Sequence, residues 1–132
     1  MKTRLKNMVF LDANILLEII LRDRAKKDQV ENYLTLVNEP TAISILSVHL
    51  IMYFGRKEKA EDKFLEGTIR ENEILTLLPE DYEWALKNEK RKDFEDALQV
   101  AVAVRTGCEK FITIDDKLAK AYADFPITMI TI

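Results

Sequence analysis

The chain has 132 residues, of which 48% are hydrophobic, with three Gly and three Pro. This length and composition predict one compact domain, residues 1–132, and exclude a fibrous or disordered chain. The 20 basic and 23 acidic residues give a net charge of −3, so any binding to nucleic acid must use a local basic surface rather than the charge of the whole molecule.

The beginning of the chain and its cysteine content bear on location. The basic start and the apolar residues after it resemble a secretion signal, but Asp12 and Glu18 interrupt the apolar run. No apolar run reaches the roughly 20 residues that a membrane span needs. Cys108 is the only cysteine, which excludes an internal disulfide framework and fits a reducing compartment. We therefore expect a cytoplasmic protein without a membrane segment.

Short apolar runs typical of β-strands alternate along the chain with longer segments of helical periodicity. The runs predict strands at 8–11, 41–43, 74–78, 111–114 and 127–131. The periodic segments predict helices at 14–21, 26–37, 47–53, 57–70, 81–90, 94–105 and 117–122. Because this alternation is typical of parallel sheets covered by helices, we predict an α/β fold, a three-layer α/β/α sandwich around a central, mostly parallel sheet.

Two predicted helical segments are apolar on nearly every side. The segment "ILLEII" contains five aliphatic residues in six, and "SVHLIMYF" has only Ser47 and His49 as polar side chains. A helix on the surface of a monomer would show a polar face. These helices are therefore predicted to lie in the centre of the core or at the interface of a homodimer.

Acidic residues follow predicted strands and begin a predicted helix. Asp12 comes directly after the first strand, and Asp115 and Asp116 come directly after the strand "FITI". Asp93 and Asp96 lie three residues apart at the start of the helix before that strand. The carboxyl ends of parallel strands form the edge of the sheet where ligands bind, so these carboxylates are candidates for one site.

Helix capping is an alternative role for Asn14, Asp93, Asp115 and Asp116. Capping does not explain Asp96, which lies inside a helix and precedes the apolar segment "ALQVAVAV". A carboxylate that enters the interior there is costly unless a cation or hydrogen-bond donors meet it.

A metal ion is the cation that these carboxylates predict. Asp12, Asp96 and Asp115 would repel one another until a divalent cation neutralised them. Oxygen ligands without a His or Cys cluster indicate Mg²⁺ or Mn²⁺ rather than zinc. Such sites usually catalyse displacement at phosphate esters.

The segments "FLDANILLEII" and "DFEDALQVAVAVRTGCEKFITIDD", in this order and spacing, resemble a PIN domain of the kind found in VapC-type toxins of toxin–antitoxin pairs. The resemblance covers nearly the whole chain, and "DFEDALQ" followed by "GCEKFIT" is its most specific part. It implies a Mg²⁺-dependent ribonuclease. The matching positions are the catalytic, metal-binding acids Asp12, Asp96 and Asp115, the additional acid Asp93, the supporting residues Asn14 and Thr113, and Asp116 as the alternative ligand to Asp115.

One position departs from the family pattern. Many family members carry a Glu early in the helix after the second strand, where this chain has His49 and Leu50. The departure predicts reduced metal affinity or activity. His49 is either a water-bridged metal ligand or an ordinary polar residue near the helix start.

Three functional classes follow from these residues. The favoured one is an RNA-cleaving hydrolase, with phosphates bound by the basic run "KNEKRK" through Lys87, Lys90, Arg91 and Lys92. A toxin role would add a cognate antitoxin as partner. The alternative is a non-catalytic PIN-like module that binds RNA or protein. A phosphotransfer enzyme with Asp12 as nucleophile is disfavoured, because the haloacid-dehalogenase pattern requires a second Asp where this chain has Asn14.

Overall fold

A computed structural model describes residues 7–132 of the chain. The helices and strands follow one another as β1 (Val9–Leu11), α1 (Ala13–Ile20), α2 (Lys27–Leu36), β2 (Thr41–Ser44), α3 (Ile45–Lys57), α4 (Asp62–Arg70), β3 (Glu73–Leu75), α5 (Pro79–Asn88), α6 (Phe94–Arg105), β4 (Lys110–Thr113), α7 (Asp116–Ala121) and β5 (Thr128–Thr131). The five strands form one parallel sheet in the order β3-β2-β1-β4-β5.

The central strands are apolar on both faces, which requires a layer of helices on each side. Phe10 and Phe111 stack with ring centroids 5.2 Å apart on one face, where α5, α6 and α7 pack. Val9, Leu11 and Ile112 point to the other face, where α1, α2, α3 and α4 pack. Because strands buried on both faces read as continuous apolar runs, the pattern was visible in the sequence. The predicted three-layer α/β/α fold is confirmed.

The prediction of a helix at 57–70 is wrong over the first turn. The chain instead ends α3 at Lys57 and begins α4 at Asp62. Lys59 has a φ of 62°, a left-handed conformation that stops a helix. Gly55 lets α4 approach closely, because a Cβ there would lie 2.5 Å from a methyl carbon of Leu65. Left-handed helix stops usually contain Gly or Asn, so a Lys at this position left no signal in the sequence.

The strand predicted at 74–78 also ends earlier than expected. Pro79 is the first residue of α5, a position that suits its fixed φ and missing N–H. The side chain of Asp81 accepts the N–H of Leu78 at 2.8 Å, which fixes the start of α5. The chain therefore turns into a helix directly after the short β3.

The two strongly apolar segments differ in where their side chains lie. In α1, Ile15, Leu16 and Ile20 are buried in the core of this chain. In α3, Ile45 and Tyr53 remain exposed. The core therefore explains the apolar surface of α1, and the predicted dimer depends on α3. Among the helices that the structure describes, none is long and apolar enough to cross a membrane.

Candidate metal centre

The candidate site lies at the carboxyl edge of the sheet, between β1 and β4. The chain places β2 and β3 on one side of β1, and β4 and β5 on the other, so the strand order changes direction here. In open parallel sheets this switch point is the usual place for a ligand. Leu11 pairs with Ile112, and Asp12 continues the ladder by donating its N–H to the Ile112 carbonyl oxygen at 2.9 Å. Asp12 follows Leu11 and Thr113 follows Ile112, so these two residues lie side by side.

Asp12 is a buried carboxylate with one defined partner. The residue is 4% exposed, and its Oδ2 atom accepts the Thr113 hydroxyl at 2.9 Å. Asp12 is the N-cap residue of α1, yet its side chain makes no capping hydrogen bond to that helix in the described chain. The pKa of Asp12 is raised to about 6, chiefly by burial and to a smaller extent by the negative charges of Asp115 and Glu95, while the hydrogen bond from Thr113 opposes the rise. This carboxylate is therefore not explained by helix capping.

Thr113 and Asn14 connect Asp12 to Asp115. Besides donating to Asp12, the Thr113 Oγ1 atom accepts the N–H of Asp115 at 3.0 Å and the Asn14 Nδ2–H at 3.2 Å. Asn14 lies in the first turn of α1, and its Oδ1 atom accepts the N–H of Ile114 at 3.4 Å. These bonds hold the ends of β1 and β4 together and fix the spacing of the two acids.

Asp96 approaches the same group from the first turn of α6. Its N–H is capped by the Asp93 carboxylate at 3.1 Å, and its own side chain is 17% exposed. Burial raises the pKa of Asp96 to about 7, and the charges of Asp12 and Asp93 add to the rise, while Arg91 opposes it. Asp93 therefore caps the helix, whereas the Asp96 carboxylate stays available.

The two acids after β4 have different neighbours. Asp115 caps α7 through Oδ1, which accepts the N–H groups of Lys117 and Leu118 at 3.0 and 3.2 Å. Partial burial would raise the pKa of Asp115, but its hydrogen bond from Arg91 and the bonds from α7 lower it below its usual value. Asp116 is exposed and pairs with Lys120 at 2.9 Å. Thus Asp115, and not Asp116, is linked to Asp12 and Asp96.

Arg91 lies within the acidic cluster, defined here as Asp12, Asp96 and Asp115. Its Nη1 atom is 2.9 Å from Asp115 Oδ2 and 3.7 Å from Asp96 Oδ2. The sequence had suggested an outward-facing role in RNA binding for this residue. The sequence did contain a signal for the contact with the acids. Arg91 lies two residues before the N-cap of α6, at the same end of the helix as Asp96.

The rest of the predicted basic surface lies outside the cluster. Lys87, in the last turn of α5, and Lys92 are exposed. The Lys90 ammonium lies 5.6 Å from the centre of the Phe125 ring. On α3, His49 is exposed with its ring centre 6.3 Å from that of Tyr53.

The acidic cluster fits a hard divalent cation in donor type and charge. Its potential metal ligands are carboxylate oxygens. The carboxylates of Asp96 and Asp115 already contact a positive group, the Arg91 guanidinium. As arranged, no three acidic, His or Cys side chains within residues 7–132 converge closely enough to hold an ion. Within the part of the chain that the structure describes, the fit is therefore one of donor chemistry and charge.

Known protein families and solved structures show which proteins this chain resembles. A family model described as PIN domain matches residues 9–124, which include every member of the acidic cluster. Among curated protein sequences, none matches the chain significantly.

Several solved structures share the fold at low sequence identity. A toxin–antitoxin complex from Klebsiella pneumoniae superposes with a TM-score of 0.73 at 21% identity, covering 93% of this chain and 96% of the other. VapC20 of Mycobacterium tuberculosis, described as a toxin that cleaves the sarcin–ricin loop, gives 0.69 at 14% identity, covering 91% and 98%. The DNA-bound VapBC of Salmonella typhimurium gives 0.68 at 18% identity, covering 94% and 97%.

Proposed function

The chain belongs to the PIN domain family, and from this premise we propose that it is an endoribonuclease dependent on Mg²⁺ or Mn²⁺. Asp12, Asp96 and Asp115 are its catalytic acids and would hold the metal. The observation that carries this proposal is the grouping of Asp12 and Asp96, both with raised pKa values, beside Asp115 at the switch point of the sheet. Carboxylates that destabilise one another in the free protein are typical of a site built for a cation.

Several polar residues position the three acids. Thr113 and Asn14 hold Asp12 and Asp115 at a fixed spacing, and Asp93 holds the first turn of α6 that carries Asp96. When bound, Mg²⁺ or Mn²⁺ would supply positive charge that stabilises the transition state at phosphorus and lowers the pKa of the attacking water.

RNA binding is assigned to the exposed basic run beside α6. Lys87 and Lys92 are exposed there, and Lys90 lies against the ring of Phe125 at the same end of the molecule. Cationic side chains at such a surface attract phosphates without selecting sequence. Their position next to Asp96 supports delivery of a backbone phosphate to the acids.

A toxin role is the biological setting that the structural neighbours favour. The Klebsiella and Salmonella structures are described as a toxin–antitoxin complex and a VapBC complex. We therefore propose a cytoplasmic toxin, active as a homodimer and held inactive by a cognate antitoxin.

The test is cleavage of RNA by the purified protein with Mg²⁺ and with EDTA. We expect cleavage only with Mg²⁺, and a loss of at least about a hundredfold in Asp12→Asn, since removing a metal ligand removes the transition-state stabilisation. Asp116→Asn is the matched control, because its carboxylate is exposed and paired with Lys120 instead. Equal cleavage by wild type and Asp12→Asn would contradict the proposal.

A non-catalytic binding module is the second candidate, favoured by the absence of an acid at His49 and Leu50. It predicts RNA or protein binding without cleavage in Mg²⁺ or Mn²⁺. Leu50→Glu, or His49→Glu for the neighbouring register, would then raise metal affinity and restore turnover.

A further inference from the structure

Arg91 is placed where it contacts two of the proposed metal ligands at once. It precedes α6 in the segment between α5 and α6, and its side chain is 32% exposed. The segment is anchored one residue earlier, where the N–H of Lys90 donates to the buried Tyr122 hydroxyl at 3.1 Å. This anchor holds Arg91 beside the start of α7, where Asp115 lies.

The guanidinium acts on the cluster as a cation would. It donates to Asp115 at 2.9 Å and lies 3.7 Å from Asp96, the two acids that approach from α7 and α6. At these distances its positive charge offsets part of the repulsion between the two carboxylates. In the free protein, Arg91 therefore neutralises part of the charge that would attract a metal.

We propose that Arg91 is an internal counter-ion that competes with the divalent metal for Asp96 and Asp115 and, once displaced, binds the phosphate of the RNA substrate. The inference rests on the proposed function, since it assumes that the acidic cluster binds metal. The guanidinium would lose both carboxylate partners and be repelled if a divalent cation were held by Asp96 and Asp115. In the free protein only the Nη1 atom contacts these carboxylates, whereas the full planar fork of guanidinium donors suits a pair of phosphate oxygens.

If this exchange occurs, Arg91 weakens the binding of metal and strengthens the binding of RNA. Removing the side chain removes a competitor, so metal should bind more tightly. It also removes a phosphate donor, so RNA should bind more weakly. A side chain with a merely structural role would not strengthen one affinity while weakening the other.

The experiment compares Arg91→Gln with wild type by calorimetric titration of Mn²⁺ and by fluorescence anisotropy of a short oligouridine at saturating Mg²⁺. We expect Mn²⁺ to bind about fivefold more tightly and RNA about fivefold more weakly, as suits one partly exposed charge. Arg56→Gln is the matched control, because it also breaks an Arg–Asp pair, with Asp62 at 3.0 Å, outside the acidic cluster. Both affinities should stay unchanged in that control. Arg91→Lys keeps the charge and should fall between wild type and Arg91→Gln.

The outcomes separate this inference from the proposed function. Mn²⁺ binding that is equal or weaker in Arg91→Gln, with wild type still binding metal, overturns the counter-ion role and leaves the proposed function standing. Tighter metal binding with unchanged RNA affinity overturns the transfer to phosphate. Failure of both proteins to bind Mn²⁺ overturns the proposed function, and the inference with it.

Discussion

Asp12→Asn should stabilise the metal-free protein, although it is expected to abolish activity. Burial raises the pKa of Asp12 from 3.8 to about 6, so its ionised form destabilises the fold by roughly 3 kcal/mol at neutral pH. An amide oxygen can still accept the Thr113 hydroxyl, so Asp12→Asn keeps the hydrogen bond that the carboxylate makes. A gain of about 3 kcal/mol is therefore expected, which corresponds to a rise in melting temperature of roughly 11 °C for a chain of this size.

The pH dependence of this gain gives the sharper test. At about pH 3 or below, the carboxyl is almost entirely neutral in both folded and unfolded protein, so wild type carries almost no penalty there. As the pH rises from about 4 to 6, the unfolded state loses its proton first, and the penalty grows to its full size. Asp12→Asn should therefore melt higher than wild type at about pH 7.5 in EDTA, and at nearly the same temperature at about pH 3, in scanning calorimetry.

Asp116→Asn is the control for this calorimetry. Its carboxylate is exposed and paired with Lys120, so its melting temperature should stay close to that of wild type. An Asp12→Asn protein that melts at or below the wild-type temperature near neutral pH would refute the reasoning. A gain of the same size at both pH values would refute it as well.

The remaining predictions address metal, packing and assembly. Millimolar Mg²⁺ or Mn²⁺ should raise the melting temperature of wild type, because it binds only the folded form, and should leave Asp96→Asn unchanged; a metal-independent wild type would count against the site. Asp81→Asn should cost about 3 kcal/mol in urea unfolding, because the buried Asp81 carboxylate accepts two hydrogen bonds from Arg105 at 2.7 and 3.0 Å; a loss below about 0.5 kcal/mol would show that the pair contributes little. Light scattering should report a dimer, and Tyr53→Glu on the exposed face of α3 should shift it to monomer; a monomeric wild type at high concentration would reject the interface.

The fold could be predicted because its sheet is buried on both faces. The segments around Phe10 and Phe111 read as short apolar runs between helical segments, and that alternation specifies a parallel sheet covered by helices. The break at Lys59 could not be predicted, since the left-handed conformation there is imposed by the packing of α4 against α3 and not by the residue type.

The candidate site was partly visible in the sequence for a similar reason. Asp12 and Asp115 directly follow strands, and Asp96 begins a helix too apolar to be exposed, so their common edge followed from topology. The contact between Arg91 and Asp115 could not be predicted, because it depends on the tertiary fold. A charged run such as "KNEKRK" is typical of solvated surface, whereas in the fold Lys90 is bonded to Tyr122 and the neighbouring Arg91 contacts Asp115.

The most direct test of the central claim is the rate of RNA cleavage as a function of Mg²⁺ concentration, in wild type and in Asp96→Asn. If the acidic cluster is the metal-dependent catalytic centre, the wild-type rate should be zero without metal and should saturate near the dissociation constant measured by calorimetry. The variant should show no rate at any concentration while keeping its fold. Full cleavage in EDTA, or a wild-type curve from Asp96→Asn, would contradict the claim.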